Sequence, residues 1–359
     1  MLAGRRDFIQ EVSKGTGLSG SRSIAIIAIY PIDQKFYLDS LKNFLVGTSA
    51  NGVDAIGVVN GALPLQIENL LKEFNCIIVR RKNKGRDFGA YQDGLNWMYK
   101  HVGVDAVDRV ILANDTLLWF PNSEQIIKDS LVDDWTTLYF NLEQHAHAQS
   151  FFLSFSNKII QNKKFKKFWK NYAATKYRRS AIIYGEMGLS SVLIKEGFSC
   201  SPLVNADWVH SKWRESSLDS SFWTMLNLLD INRLWKVDVP GSSKQGLSLV
   251  TENRRLEDIA EINLLMHDAK ESNLLTPAII SQYCHSQGPH RIGLMLYLLF
   301  GIPLKADLYK ANSLSEIFSA VRIRNPEAAS SAHDFYLLQS QRYMLGTKEN
   351  NRQKRRGEK

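Results

Sequence analysis

Ser23-Ile-Ala-Ile-Ile-Ala-Ile-Tyr30 is apolar at every interior position, so neither side of it can face water. A strand of that kind is stable with both faces covered, the condition of a parallel sheet sandwiched between helices. The next segments keep the alternation such a sheet needs. Phe36 to Phe44, with Leu38, Leu41 and Leu45, has helical spacing, and Val53-Asp-Ala-Ile-Gly-Val-Val59 is a second strand ending at Asn60-Gly61. Ile67 to Phe74 is a short helix, Cys76-Ile-Ile-Val79 a third strand, 88–100 a further helix and Arg109-Val-Ile-Leu-Ala113 a fourth strand. This run predicts an α/β fold with a largely parallel sheet and right-handed crossovers. Thr136-Thr-Leu-Tyr-Phe140 and Ser150-Phe-Phe-Leu-Ser-Phe155 read as two more strands joined by a polar link, Phe165 to Tyr177 as a basic aromatic helix, and Leu189 to Glu196 as a helix ended by Gly197.

At 359 residues the chain exceeds one average domain. The expected division is an N-terminal extension over 1–20, a main α/β domain over 21–245, a helical C-terminal region over 246–340 and a basic disordered tail over 341–359. A hydrophobic content of 44% with 23% charged residues argues against wholesale disorder. Cys76, Cys200 and Cys284 are widely spaced and make no Cys-x-x-Cys pair, which points to a reducing compartment and against a zinc site. No apolar run reaches the roughly 18 residues needed to span a bilayer, and Met1-Leu-Ala-Gly-Arg-Arg6 has no apolar stretch of signal type behind it. The expected location is the cytoplasm. A formal charge of +9 suits a polyanionic partner: a nucleotide diphosphate, an anionic lipid surface or a nucleic acid.

Chemistry concentrates where the third and fourth strands run out. The basic cluster Arg80, Arg81, Lys82 and Lys84 ends the third strand in a positively charged turn, and Phe88, Tyr91, Leu95 and Met98 then fall at helical spacing with Asp87 placed as an N-cap. Free N–H groups at that helix start, together with Arg86, would attract a diphosphate. Asn114-Asp115-Thr116 sits at the carboxyl end of the fourth strand, the edge where ligands bind in open α/β sheets. Gly85 and Gly89 do not make a dinucleotide fingerprint or a P-loop, since the third glycine and the Gly-Lys-Ser/Thr are missing.

Several segments together resemble the rhamnan synthesis F family of bacterial polysaccharide glycosyltransferases. They are Asn83-Lys-Gly-Arg-Asp-Phe-Gly-Ala-Tyr91, Asn114-Asp115-Thr116, His147-Ala-Gln-Ser-Phe-Phe-Leu153 with Phe165-Lys-Lys-Phe-Trp169, Tyr184-Gly-Glu-Met-Gly-Leu189, Gly288-Pro-His290 and Gly301-Ile-Pro-Leu-Lys305. The resemblance implies a GT-A-like mostly parallel sheet flanked by helices with a helical C-terminal extension, and a sugar transfer, from dTDP-rhamnose, to a cell-surface polysaccharide or lipid-linked glycan. Asn114-Asp115-Thr116 stands where such enzymes carry an Asp-x-Asp metal motif, with one carboxylate in place of two. Asp115 with waters would hold a Mg or Mn ion; alternatively Arg86 and its neighbours would neutralise the leaving group themselves.

By the same comparison Glu186, set at a helix start eleven positions before Gly197, is the candidate base of an inverting transfer. Its alternative is a Glu favoured by the helix dipole. Donor binding falls to Tyr30, Asn60, Asn83, Arg86, Asp87, Asn114 and Asp115, and acceptor binding to His147 and Gln149, with His145 a weaker candidate. Trp208, Trp213, Trp223 and Trp235 would stack on acceptor sugars or pack in a core. The helix from Lys163 to Arg179 suits peripheral contact with an anionic membrane face, or an aromatic side turned into the core with its lysines in water. Two other classes stand beside the enzyme: a basic nucleic-acid or anionic-surface binding protein, although no nucleic-acid motif is present and no nucleic acid is expected, and a degenerate transferase fold acting as an assembly partner.

Overall fold

The computed structural model describes residues 9–13, 22–31, 35–119, 121, 124–141, 146–205, 207–209, 211–212, 296 and 300–305. The chain divides into two units, 1–205 with 286–306 and 206–285 with 307–359. The first unit carries the main sheet and the motifs at its edge.

Its sheet is built from β1 (Ile9–Ser13), β2 (Ser23–Ile29), β3 (Val53–Asn60), β4 (Ile77–Arg81), β5 (Arg109–Asn114), β7 (Trp135–Thr137), β10 (Phe152–Ser156) and β11 (Cys200–Pro202), in the order β1-β4-β3-β2-β5-β10-β7-β11. Strands β4, β3, β2 and β5 are mutually parallel, with Ile26 of β2 opposite Ile56 on one side and Leu112 on the other. Ile24 to Ile29 are all buried, as a strand with two apolar faces requires. Beyond β5 the direction reverses at β10, which runs antiparallel to both β5 and β7, and β11 then lies parallel to β7. Two pairs stand apart from this sheet, β6 (Leu117–Leu118) with β12 (Leu304–Lys305) and β8 (Phe140–Asn141) with β9 (His147–Ala148), both antiparallel.

The crossovers are the helices that the sequence periodicity marks. Helix α1 spans Lys35–Ala50, α2 Leu65–Glu73 and α3 Arg86–His101. Phe88, Tyr91, Leu95 and Met98 of α3 are buried against β2, β3 and their neighbours, so the apolar stripe read from the sequence is the face that packs on the sheet. The mostly parallel sheet flanked by helices is the α/β architecture expected. The C-terminal helices expected over 246–340 and the tail over 341–359 lie outside the described residues, as do His145, Trp213, Trp223, Trp235 and Gly288-Pro-His290.

The structure corrects three expectations. Residues 1–20 read as an extension, yet Ile9–Ser13 joins the sheet as an edge strand antiparallel to β4. The strand expected over Thr136–Phe140 breaks after Thr137, where the Thr137 hydroxyl donates to the carbonyls of Tyr139 and Phe152 and turns the chain into β8. The basic aromatic helix is shorter than expected: α4 (Glu124–Asp129) and α5 (Asn157–Gln161) precede α6 (Lys163–Asn171), which ends at Tyr172. Asn162 caps α6 by accepting from the N–H groups of Lys164 and Phe165. Phe165 and Trp169 are buried, and Trp169 stacks on Phe88 at 5.5 Å, while Lys163, Lys164, Lys167 and Lys170 face outward. The aromatic side is thus core, and those two rings offer no anchor to a membrane.

Arg81 departs most from the sequence reading, which places it in a solvated basic turn. It is fully buried, donating to the Asp93 carboxylate at 2.6 Å, to the Lys84 carbonyl at 2.6 Å and to the Asn60 side-chain oxygen. Removing one partner of a buried pair strands the other charge. Arg81→Met is therefore expected to lower stability by about 3–5 kcal/mol, measured by urea unfolding, with part of the loss recovered in Arg81→Met/Asp93→Asn.

Candidate functional site

The turn after β4 decides where the first motif points. Gly85 has φ 84° and Arg86 has φ 56°, so two consecutive left-handed residues throw the chain into α3. Only a residue without a side chain fits at Gly85, because a Cβ there would lie 2.5 Å from the Cβ of Ala174. Gly85, not Asp87, is the N-cap. This corrects the expected capping role of Asp87, whose carboxylate instead accepts from the Asn114 side-chain amide at 2.8 Å. Arg86 is exposed at the mouth of this turn, as is Asn83.

The second motif closes on the same place. Asn114 ends β5 and is buried, and the Asp115 carboxylate accepts from the Tyr30 backbone N–H at 2.6 Å, joining the ends of β5 and β2. The Thr116 hydroxyl donates to the Asn114 side-chain oxygen at 2.9 Å. Asn60, read as a donor ligand, is buried and bridges its neighbours: its amide donates to the Ile29 carbonyl at 3.2 Å and its oxygen accepts from Arg81. The departure from Asp-x-Asp has a physical reason. An amide at position 114 donates to Asp87, where a carboxylate would meet a like charge.

Glu186 arrives from a third segment. The expectation that it begins a helix is not met: α7 (Arg178–Ser180), a π-helical stretch over Ala181–Met187 and α8 (Gly188–Lys195) run on without a break. A dipole-favoured position at a helix start therefore does not explain this carboxylate. Single π turns concentrate at functional sites because they re-aim side chains. Gly185 makes the approach feasible, since a Cβ there would meet the Phe88 ring at 2.8 Å. Glu186 Oε1 accepts from the Ser150 N–H at 3.1 Å and the Ser150 hydroxyl at 2.5 Å, and Oε2 faces His147 Nε2 at 3.8 Å. Its side chain is only 11% exposed. Burial raises its pKa above the ordinary carboxylate value, opposed by the Ser150 hydrogen bonds and by His147 and reinforced by Asp87.

Three tyrosines record how near these groups lie to one another. Burial, Asp87 and Asp115 raise the pKa of Tyr30, and burial followed by Asp87, Tyr30, Asp115 and Glu186 raises that of Tyr91. Tyr172 is pushed up to about 12 by burial, Asp87 and Glu186, with Arg86 opposing. Tyr91 also donates to the Ser150 carbonyl at 2.9 Å, so the residue that holds Glu186 is itself held by α3. Asp87, Asp115 and Glu186 therefore share one locus at the carboxyl ends of β2, β4 and β5.

His147 is buried behind Glu186, while Gln149 is half-buried and its backbone pairs with Tyr139 and Thr137. Between α6 and α8 a groove of about 470 Å³ is lined by Lys164, Lys167, Phe168, Tyr172 and Tyr184, among others, and Glu186 does not line it. Among the described residues no group of three or more His, Cys, Asp or Glu side chains is gathered as a metal cage. Asp87 and Asp115 supply the one or two hard carboxylates with which Mg or Mn is commonly held beside waters and substrate phosphates, so the residues present fit that mode. Sequence reasoning missed Ser150 and Tyr91 as partners of the site. It noticed the segment containing Lys305 but assigned it no role.

Carboxylates, an amide and tyrosines at the carboxyl edge of a parallel sheet are the makings of a ligand site of the open α/β class. Residues 55–231 match the family described as Rhamnan synthesis protein F, which bears out the resemblance drawn from the motifs. The first five of those segments fall inside the matched stretch. The chain is also 27% identical over 195 residues to an uncharacterized protein, y4gN, of Sinorhizobium fredii, a match covering 51% of this chain and 49% of that protein. The chain thus spans about half the length of the curated relative it matches. Similar solved structures include 4-diphosphocytidyl-2C-methyl-D-erythritol synthase from Anaerococcus prevotii, at 10% identity and TM-score 0.31 over 46% of this chain and 83% of that one. The glycosyltransferase GlyE of Streptococcus pneumoniae is similar at 11% identity and TM-score 0.32, over 55% of this chain and 49% of that one.

The Asn114 amide yields a direct test. Asn114→Asp removes a buried donor and sets two carboxylates against each other, an expected loss of about 1–3 kcal/mol at neutral pH. The deficit is expected to shrink below about pH 5, where one carboxyl takes up a proton and donates to the other, and denaturant unfolding at both pH values measures it.

Proposed function

We propose that this chain is a glycosyltransferase that takes a sugar from a nucleotide-diphosphate donor, dTDP-rhamnose, and adds it to a cell-surface polysaccharide or lipid-linked glycan. The observation that carries this reading is the linked set of hydrogen bonds from Asn114 to Asp87, from the Tyr30 N–H to Asp115 and from Tyr91 through Ser150 to Glu186, which brings carboxylates of three segments to one sheet edge. The donor sugar rests on the family match to Rhamnan synthesis protein F. The nucleic-acid alternative drew on the Lys/aromatic helix, whose Phe165 and Trp169 rings are buried.

In this mechanism Arg86 and the start of α3 orient the diphosphate. Tyr30 stands at the donor's nucleoside side, and Asp87 and Asp115 would hold a Mg or Mn ion, which when bound supplies charge neutralisation of the leaving group. The acceptor hydroxyl stands beside the Glu186 carboxylate. Glu186 takes the hydroxyl proton while the oxygen attacks the anomeric carbon; the new C–O bond forms as the bond to the diphosphate breaks, and nucleoside diphosphate leaves. One displacement inverts the anomeric configuration. Ser150 fixes one oxygen of the base, and His147 backs the other, so the carboxylate keeps a single orientation.

A raised pKa suits this role, because a base poised nearer neutrality holds an abstracted proton better. Only the ionised form accepts a proton, so the rate is expected to rise with pH through the raised pKa of Glu186. Ser150→Ala removes a hydrogen bond that favours the ionised form and is expected to move that limb to higher pH, read from kcat against pH. Glu186→Gln is expected to slow transfer by roughly 10²–10⁴-fold with dTDP binding unchanged; near-normal transfer by this variant defeats the assignment.

The donor itself is tested by thermal stabilisation with a panel of nucleotide sugars, with and without Mn. A ligand at a hundred times its Kd adds about 2.7 kcal/mol, and dTDP-rhamnose is expected to give the largest rise in Tm. Indifference to every nucleotide sugar sinks the reading.

A further inference from the structure

We propose that Lys305 is a cationic ligand of the donor's diphosphate, delivered to the site from late in the chain; the inference rests on the donor reading above. The chain returns after residue 300 to lay Leu304–Lys305 antiparallel against Leu117–Leu118, with Lys305 opposite Leu117. That pairing fixes a lysine beside the motif at the end of β5. The Lys305 ammonium donates to the Thr116 hydroxyl and stands 5.4 Å from the centre of the Phe151 ring. It is half-buried, and its ammonium is held by a hydroxyl and the face of an aromatic ring.

The connections from Lys305 lead to the centre of the site. Thr116 accepts from Lys305 and donates to the Asn114 oxygen; the Asn114 amide donates in turn to the Asp87 carboxylate. Each link donates in the same sense, from ammonium to carboxylate, so the chain is polarised end to end. The locus otherwise gathers the carboxylates Asp87, Asp115 and Glu186. A diphosphate entering among three carboxylates needs positive charge fixed near its oxygens, and a lysine serves phosphate as a compact point charge. Arg86 is exposed on the turn after β4, whereas Lys305 is tethered by backbone pairing and by Thr116, next to Asp115. Lys305 is therefore a cation held in place at the edge before a donor arrives, whereas the buried Arg81 has its donors spent on Asp93, Asn60 and the Lys84 carbonyl.

The test is calorimetric titration of dTDP and of thymidine into the full chain, at fixed Mg and salt, for wild type, Lys305→Met, Lys305→Arg and Thr116→Val. Lys305→Met is expected to weaken dTDP about tenfold or more, the usual effect of losing a charged hydrogen bond, while thymidine binds as in wild type. Lys305→Arg is expected to restore most of the dTDP affinity, and Thr116→Val, which frees the lysine from its tether, to lose about threefold. Equal dTDP binding by wild type and Lys305→Met overturns the role of Lys305 and leaves the donor reading intact. If Lys305→Met does not fold, unchanged dTDP binding by Thr116→Val overturns it instead. Failure of wild type to bind dTDP removes the donor reading and this inference together.

Discussion

The hydrogen bond from the Asn114 amide to the Asp87 carboxylate, at 2.8 Å, is the joint on which the rest of the site hangs. It ties the end of β5 to the first turn of α3, two segments that the sheet alone would leave side by side without fixing their side chains. Asp87 is available for it because the left-handed pair Gly85 and Arg86 starts the helix without needing a carboxylate cap. Once Asp87 is held, Tyr30 and Tyr91 are confined between carboxylates, and their phenols stay neutral. A neutral phenol keeps its proton to donate, and Tyr91 gives its own to the Ser150 carbonyl, which ties α3 to the residue that holds Glu186.

Glu186 reaches the same edge by a different device. A regular α-helix has 3.6 residues per turn and would carry its side chains steadily around the axis. The widened turns over Ala181–Met187 shift that progression, and Gly185 lets the widened segment lie against the Phe88 ring. The carboxylate then meets Ser150, whose carbonyl is bound by Tyr91 of α3. Phe88 and Tyr91 both come just after Asp87 in the same helix, so one helix start serves both halves of the site.

The sheet was legible because its strands are buried on two faces, and burial on two faces leaves a run such as Ile24–Ile29 that no other element produces as readily. Helix α3 was legible for the same reason: the spacing of Phe88, Tyr91, Leu95 and Met98 is its packing face. What escaped were features whose cause lies far away in sequence. The polar strand Ile9–Ser13 is an edge with one partner and carries no apolar alternation to betray it. Arg81 looks like surface charge until Asp93 and Asn60 close on it. Asp87 looks like a cap until Asn114 is seen to claim it, and nothing in Ala181-Ile-Ile-Tyr-Gly-Glu-Met187 announces a widened helix. The glycines Gly85 and Gly185 were visible in the motifs, but the Ala174 and Phe88 contacts that require them were not.

The pairing of Leu304–Lys305 with Leu117–Leu118 also orders events in time. A ribosome that has finished β11 at Pro202 has made every strand of the eight-stranded sheet, yet the segment that lies beside Thr116 is still unmade. At about 5–20 residues per second of synthesis, the nascent sheet waits several seconds at least for its last neighbour. Through that interval the chain carries Arg86 and the carboxylates of its pocket without the late-arriving ammonium, so the cationic side of the donor site is completed only after residue 305 is made.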